Sequence, residues 1–491
     1  MVSAIPVAQP APWEKVPDYD QLFVLITGAN SGIGLAIAQR LIDEFLATRS
    51  LTSHLILIPT TRSAKKSLET IRTLRAYATA AAQKPSLILR SRAGGPESYR
   101  WQDTVDRIHI LSLQLDLCDL KGLYAFSDAL CTGIVSNPVG LEGEYLKNVR
   151  IPRLDSVVYN AAFGGWSGVN WGGAIKSFFF KGLLETGTYP DFKNALPTCI
   201  LNERSSYGYP EKPLLGEVFG ACTFGHYCLT HKLKPLLSRQ QESVLPPGRI
   251  IWSSSVEAHR STFSVDDIQS FTRPTAYESA KRLTDILCLT HTLPHVQSYT
   301  KALLGSGGHQ GAHSDSETEV EDSSDETAEK GATVGPRIYL SHPGVVASTL
   351  MPLPSWLFWL YQFALVVCRW VGSPWHTETG YRGAYAPVWI TMQEQATLDE
   401  LDAERVKWGS AYDRAGNSFV KPTEVEDWGW SGKVEDPADD ETEGSMNKKC
   451  GRRYNAKVVT KEQLLEFEEQ GAEVWQEMER MRRQWEDILE L

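Results

Sequence analysis

Residues Leu22–Gly34, LFVLITGANSGIG, leave the chain little freedom in what it can fold into. An apolar run of strand length meets glycines at 28, 32 and 34, then passes at once into a helical pattern, LAIAQRLIDEFL. In the spacing Thr27-Gly28-x-x-x-Gly32-x-Gly34 the glycines let the backbone turn tightly and let a pyrophosphate approach the helix N-terminus. Asn30, Ser31 and Ile33 belong to the same cradle. The spacing is not the G-x-G-x-x-G fingerprint, but strand, glycine turn and amphipathic helix stand in the order that dinucleotide binding requires. They predict an α/β fold, a doubly wound parallel sheet of Rossmann type.

His54–Pro59, HLILIP, reads as the second strand, and it ends in Thr60-Thr61-Arg62-Ser63 with Lys65 and Lys66 close behind. A sheet of this kind holds a free ribose 2′-hydroxyl with an acidic residue at that strand end. Here a cation and hydroxyls suit a 2′-phosphate, which points to NADPH held by Thr61 and Arg62. A helical pattern over Leu68–Tyr77 and a polar, basic insert over Lys84–Gln102 lead to a third strand, Ile108–Leu117, with Asp116 placed for an adenine ring. The fourth strand, Asp155–Ala162, ends at Asn160, whose amide can tie neighbouring strands and shape the cofactor floor. The loop after it, GGWSGVNWGGAIKSFFF, is predicted to line a substrate entrance, and Gly220–Leu237 to form a crossing helix.

Ser253–Lys281 carries the chemistry. Tyr277 and Lys281 stand four apart, so on a helix they share one face. A nearby ammonium favours the phenolate and should draw the phenol pKa down from about 10 towards neutrality. Such a phenol can give a proton to a carbonyl oxygen as hydride arrives, or take it back in reverse. A hydroxyl from the cluster Ser253–Ser255, at the end of the apolar run Arg249–Trp252, can hydrogen-bond the same oxygen as charge develops. A sixth strand, Arg337–Ser341, ends in His342-Pro343-Gly344, and Val346 and Ser348 after that turn are placed for the nicotinamide carboxamide and phosphates.

The 491 residues are 42% hydrophobic and 22% charged, a globular balance, and a net charge of −11 argues against general nucleic-acid binding. Eight scattered cysteines without a CxxC pair suit a reducing compartment and give no metal site. Residues 1–19 form a proline-rich lead-in with no signal-peptide pattern, 20–430 the reductase domain, and 431–491 an acidic linker and a C-terminal helix. That helix, Thr460–Leu489, opens with a Thr460/Gln463 capping box and packs on the main domain or on a partner. Gly305–Gly335 is acidic, serine-rich and poor in apolar residues, so it reads as a disordered surface insertion. Trp356–Val371 has sixteen residues interrupted by Arg369, short of the ~20 needed to cross a bilayer. It reads either as an interfacial helix at a membrane surface or as a buried core helix or lid.

TGANSGIG, YNAA (Tyr159–Ala162), the serine cluster, YESAK (Tyr277–Lys281) and HPGVV (His342–Val346) occur in order over roughly residues 20–390. In this combination the chain resembles the short-chain dehydrogenases/reductases, and RPTAYESAKRLTDIL with HPGVV and the aromatic stretch after it look like the fungal 3-keto-steroid reductases. The resemblance implies NADPH-dependent reduction of a sterol 3-ketone during C-4 demethylation. It also implies attachment to the cytoplasmic face of the endoplasmic reticulum or to lipid droplets, and other C-4 demethylation enzymes as partners. By position it makes Tyr277 the proton donor, Lys281 the residue that lowers its pKa and binds ribose, and Ser255, last of the cluster, the group that polarises the ketone. One departure is Cys222, which stands where the family usually has a relay asparagine. Two further readings share these motifs: a reductase of another lipophilic carbonyl, such as a retinal or acyl ketone, and a cofactor-binding scaffold for sterol enzymes.

Overall fold

A computed structural model describes residues 7–95, 97–196, 199–304, 333–347, 355–434, 451–453 and 456–491. Most of the acidic insertion, Ser348 and most of the acidic linker lie outside them.

The parallel strands are β1 (Gln21–Ile26), β2 (His54–Thr61), β3 (Ile108–Ile110), β4 (Ser156–Tyr159), β5 (Arg249–Ser253), β6 (Arg337–His342) and β7 (Lys407–Tyr412). β8 (Ser418–Thr423) closes the sheet antiparallel to β7. The spatial order is β3-β2-β1-β4-β5-β6-β7-β8, and a short strand, Leu113–Gln114, also pairs with β2. Strand order therefore reverses between β1 and β4, and a ligand cleft belongs at the carboxyl ends there. Central strands are apolar without alternation because helices cover both faces. β1 is buried at every position, with Val24 opposite Leu57 on one side and Ser156 on the other.

The principal helices are α1 (Gly32–Thr48), α2 (Ala64–Gln83), α3 (Leu120–Cys131), α4 (Trp171–Thr188), α5 (Gly225–Leu237), α6 (Ala276–Thr290), α7 (Ser355–Val371) and α8 (Lys461–Leu489). α2 starts where Ser63 accepts a hydrogen bond from the Lys66 amide, so its hydroxyl serves as a cap. α8 starts at the Thr460/Gln463 capping box and lays Phe467, Val474, Trp475 and Met478 into the main core against α6. Trp13 of the lead-in is buried in that core too, edge-on to Phe23.

Several elements differ from the sequence reading. The third strand is short because the chain breaks after Ile110, and Asp116 sits in the loop beyond it. The insert at 84–102 contains a short helix, Leu87–Arg92, and the start of another, Trp101–Val105. The entrance loop is a hairpin, Trp166–Val169 with Lys193–Ala195, holding α4 between its strands. α5 is preceded by Glu217–Phe219 and a π turn, Gly220–Phe224, with Cys222 inside the turn. The β7–β8 hairpin was not anticipated.

Candidate active site

The glycine turn forms a close-packed floor. A Cβ on Gly34 would lie 2.4 Å from the Gly28 carbonyl oxygen and 2.6 Å from the Asn160 amide nitrogen. Gly28 has φ +65° and would press a Cβ to 2.9 Å from Ala161. Gly32, φ +55°, faces open space at the start of α1, where a side chain would intrude on the approach to the helix N-terminus. Thr27 Oγ accepts the amides of Asn160 and Ala161 at 3.0 Å and stands 2.9 Å from buried His226. The Asn160 side chain donates to the carbonyls of Thr27 and Gly28, tying β4 to β1.

A polar cleft of about 420 Å³ opens there, and Thr27, Gly28, Asn30, Ser31, Gly32, Ile33, Thr61, Arg62, Asp116, Asn160, Tyr277 and Lys281 all line it. Thr61 is buried, with its hydroxyl turned to Ser63 and Ser67, so the exposed Arg62 and the neighbouring Lys66 carry the charge at the rim. Asp116 caps the Cys118 amide and accepts from Tyr207. Open glycine backbone, a helix N-terminus and two cations fit a dinucleotide with an additional phosphate.

A second, mainly apolar cavity of about 320 Å³ meets this cleft, and Tyr277, Ser254 and Pro343 line both. Ser255 and Val346 line the apolar one. Its walls come from the hairpin with α4 and from α7, which contributes Leu357, Tyr361, Ala364, Leu365 and Cys368 at helical spacing. The opposite face of α7 exposes Trp359, Leu360, Phe363 and Trp370. α7 thus covers the cavity with one face and meets solvent with the other. Arg369 turns inward, 2.7 Å from Glu378, and is no outward-facing end charge.

α6 is buried from Tyr277 through Thr290, so every charge on it needs a partner. Lys281 Nζ donates to the Ser253 carbonyl at 2.6 Å and lies 5.5 Å from the Tyr277 ring centre. Arg282 reaches Asp427 at 3.1 Å and the Glu426 carbonyl at 2.9 Å. Asp285 pairs at 2.6 Å with Lys407 of β7, which also donates to the Ser255 carbonyl at 2.7 Å. The Ser254 hydroxyl is spent on Asp285. The Ser255 hydroxyl accepts the Glu257 amide at 3.2 Å and lies close enough to the Tyr277 phenol to favour its ionisation. Of the three serines, the last therefore has its hydroxyl beside the tyrosine.

The electrostatics differ from the sequence reading. Burial holds the Tyr277 phenol well above its usual range, with Cys222, Glu257 and Glu278 adding to the rise and Ser255 opposing it. Burial also lowers Lys281, which limits its pull on the phenol. The Cys222 thiol donates to the Phe163 carbonyl and accepts its amide, both at 3.4 Å, so it pins the loop after β4 to the π turn. Three polar groups beside Tyr277 were missed. Lys193 lies buried between Glu257, at 2.7 Å, and Glu278, with its ammonium 3.9 Å from the Trp166 ring centre. Glu257 and Glu278 are near neighbours of Ser255 and Tyr277 in sequence, but PDFKNAL around Lys193 carries no signal.

No family model matches the chain. A 3-keto-steroid reductase of Gibberella zeae is 57% identical over 483 residues, covering 98% of this chain and 97% of that protein. The chain belongs to the 3-keto-steroid reductase family. A second 3-keto-steroid reductase, from Aspergillus fumigatus, is 35% identical over 478 residues, 96% of this chain and 95% of its own length. Among solved structures, the match to salutaridine reductase from Papaver somniferum covers 67% of this chain and 88% of that one at 14% identity, with a TM-score of 0.33. With relatives of this name, the chain is an NAD(P)-dependent oxidoreductase.

Proposed function

We propose that the chain reduces the 3-keto group of sterol intermediates to the 3β-hydroxyl with NADPH, in the C-4 demethylation stage of ergosterol-type sterol biosynthesis. The observation that carries this is Tyr277 standing where a polar dinucleotide-sized cleft meets an apolar cavity, with Ser255 beside it. NADPH, when bound, supplies the hydride. Tyr277 gives its phenolic proton to the ketone oxygen, and Ser255, held by the Glu257 amide, hydrogen-bonds the same oxygen as negative charge grows on it. A phenol kept protonated by burial is ready for reduction, since the reverse reaction would have to start from phenolate. Lys281 donates to the Ser253 carbonyl and lines the cleft wall, where it would hold the cofactor ribose. Purified protein should oxidise NADPH with 3-keto sterols in preference to retinals and acyl ketones. Preferential turnover of a retinal or acyl ketone would move the assignment to another lipophilic carbonyl, and turnover of none would favour a scaffold.

Arg62 is the residue on which the choice of NADPH rests. A charged hydrogen bond to a 2′-phosphate contributes about 1.5–3 kcal/mol, so Arg62→Ala should raise KM for NADPH by roughly tenfold or more and leave that for NADH nearly unchanged. Equal use of the two cofactors by the unmodified enzyme would refute the reading.

The enzyme is proposed to sit on the cytoplasmic face of the endoplasmic reticulum or on lipid droplets. Among the described residues no helix is long and apolar enough to cross a membrane. α4 and α7 pack together and expose Phe178, Phe179 and Phe180 beside Trp359, Leu360 and Phe363, around the cavity that would take the sterol. Exposed Lys176 and Lys181 flank the phenylalanines, and Lys176 would meet anionic lipid headgroups while Lys181 is paired with Asp191. Full burial of each such aromatic contributes roughly 1.5–3 kcal/mol. Replacing Phe179, Phe180, Trp359 and Phe363 with serine should move the protein to the soluble fraction. Activity on a detergent-solubilised ketone should then fall less than activity on membrane-borne sterol. Retention on membranes would show that these helices are not the attachment.

A further inference from the structure

We propose that Lys193 is a positioning residue for ketone reduction: by binding Glu257 and Glu278 together it registers the Ser255 loop and the Tyr277 helix against the cavity wall, and this three-residue cluster sets the pH dependence of proton donation. The inference rests on the reading of Tyr277 as the proton donor.

Three separate elements meet at the Lys193 ammonium. Lys193 itself comes from the second strand of the entrance hairpin. Glu257, at 2.7 Å, is two residues beyond Ser255, and its backbone amide is the donor that holds the Ser255 hydroxyl. Glu278, also bound, directly follows Tyr277 on α6. The same ammonium lies 3.9 Å from the centre of the Trp166 ring, and that ring packs edge-on to Tyr277 at 4.8 Å. Lys193, Glu257 and Glu278 side chains are 4%, 13% and 11% exposed, so water does little to screen them. A surface ion pair would matter little, whereas removal of one partner from a buried cluster leaves uncompensated charge.

The cluster holds two carboxyls against one ammonium. Fully ionised it carries a net negative charge beside Tyr277, and burial with Glu278 close by lifts Glu257 to about 7, against the pull of Lys193. The groups facing Glu257 are Lys193 from the hairpin, Glu278 and Tyr277 from α6, and Tyr361 from α7. Below that pH Glu257 is protonated and the cluster is neutral. Above it the added anion opposes the phenolate character that Tyr277 must develop as its proton leaves. Turnover should therefore decline as pH rises through about 7, where Glu257 ionises.

The full-length protein is assayed by NADPH oxidation with a detergent-solubilised 3-keto sterol across neutral pH, with NADPH affinity measured separately by fluorescence titration. Lys193→Met keeps the apolar stem and removes the charge. Its kcat should fall roughly ten- to a hundredfold, the scale of a small misplacement of reacting groups, with NADPH affinity within about twofold, because Lys193 does not line the dinucleotide cleft. Glu257→Gln leaves a neutral Lys193–Glu278 pair, so it should keep most turnover below neutral pH and lose the alkaline decline. A merely structural role for the cluster would lower stability without moving that limb. An unchanged kcat in folded Lys193→Met, or an unchanged alkaline limb in Glu257→Gln, would overturn the inference. Either result alongside an inactive Tyr277→Phe leaves the proton-donor reading standing, and an active Tyr277→Phe would remove both.

Discussion

Tyr277→Phe should lower sterol-ketone reduction by on the order of 10²–10⁴-fold while leaving NADPH affinity within about twofold. The substitution removes one oxygen and little else. The ring keeps its edge contact with Trp166 and its packing against Cys222 and Ala280, so the fold is undisturbed. What is lost is the phenol that stands where the two cavities meet, beside Ser255. Residual activity would come from hydride alignment and from Ser255, neither of which supplies a proton at the right moment. Lys281→Ala should behave differently. Its ammonium donates to the Ser253 carbonyl and lines the dinucleotide cleft, so turnover and NADPH affinity should fall together. Single-turnover rates and NADPH titrations on both variants separate the two roles. Near wild-type turnover by Tyr277→Phe would dismiss the proton-donor assignment.

The doubly wound core was legible because each βα unit writes itself locally: an apolar strand, a turn with glycine or a cap, then a periodic helix. LFVLITGANSGIG placed β1 within a residue and α1 within three, the helix beginning at Gly32 inside the glycine turn. β7 and β8 were not seen because KWGSAY and SFVKPT are short and mixed in polarity, although the Asp413–Asn417 turn between them is a hairpin signal. The entrance hairpin was hidden by its glycines and aromatics, which suit strand, loop and helix alike.

Within the site, local spacing brought Tyr277 and Lys281 onto α6 but could not show how deeply that helix is enclosed. Burial decided the electrostatics. A Tyr-x-x-x-Lys spacing seen from sequence argues for a lowered phenol, yet in the folded chain desolvation, Cys222 and two nearby carboxyls raise it. The partners that matter are distant in sequence: Lys193 lies 64 residues before Glu257, and Lys407 lies 122 residues after Asp285. Such pairs follow from topology, from which strands flank β5 and which loop folds over α6, and no local pattern announces them.

Asp285→Ala should be the most destabilising single change at the site, costing about 3–5 kcal/mol, a large share of the ~5–15 kcal/mol that holds an ordinary domain folded. Asp285 is fully buried, and Lys407 is 3% exposed, with its ammonium 2.6 Å away. Burial already lowers the Lys407 pKa, and Asp285 is the main influence opposing that. Without the carboxylate, Lys407 must either lose its proton or stay charged against the Ser255 carbonyl, and Ser254 keeps only its longer hydrogen bond to the Lys281 carbonyl. Urea unfolding should show the loss as a lower midpoint at unchanged slope. The double variant Asp285→Leu with Lys407→Met replaces the pair by apolar groups of similar size, which is often neutral or stabilising in a buried site. It should recover much of the stability but not the turnover, because the Ser254 hydroxyl would keep only the Lys281 carbonyl and the Ser255 carbonyl would lose the Lys407 ammonium. Recovery of both would mean that the pair only fills the core. Recovery of neither would mean that Asp285 acts through groups other than Lys407. The expected split between stability and turnover would assign the buried pair to the orientation of the serine loop, which would explain a costly charge pair so close to the apolar cavity.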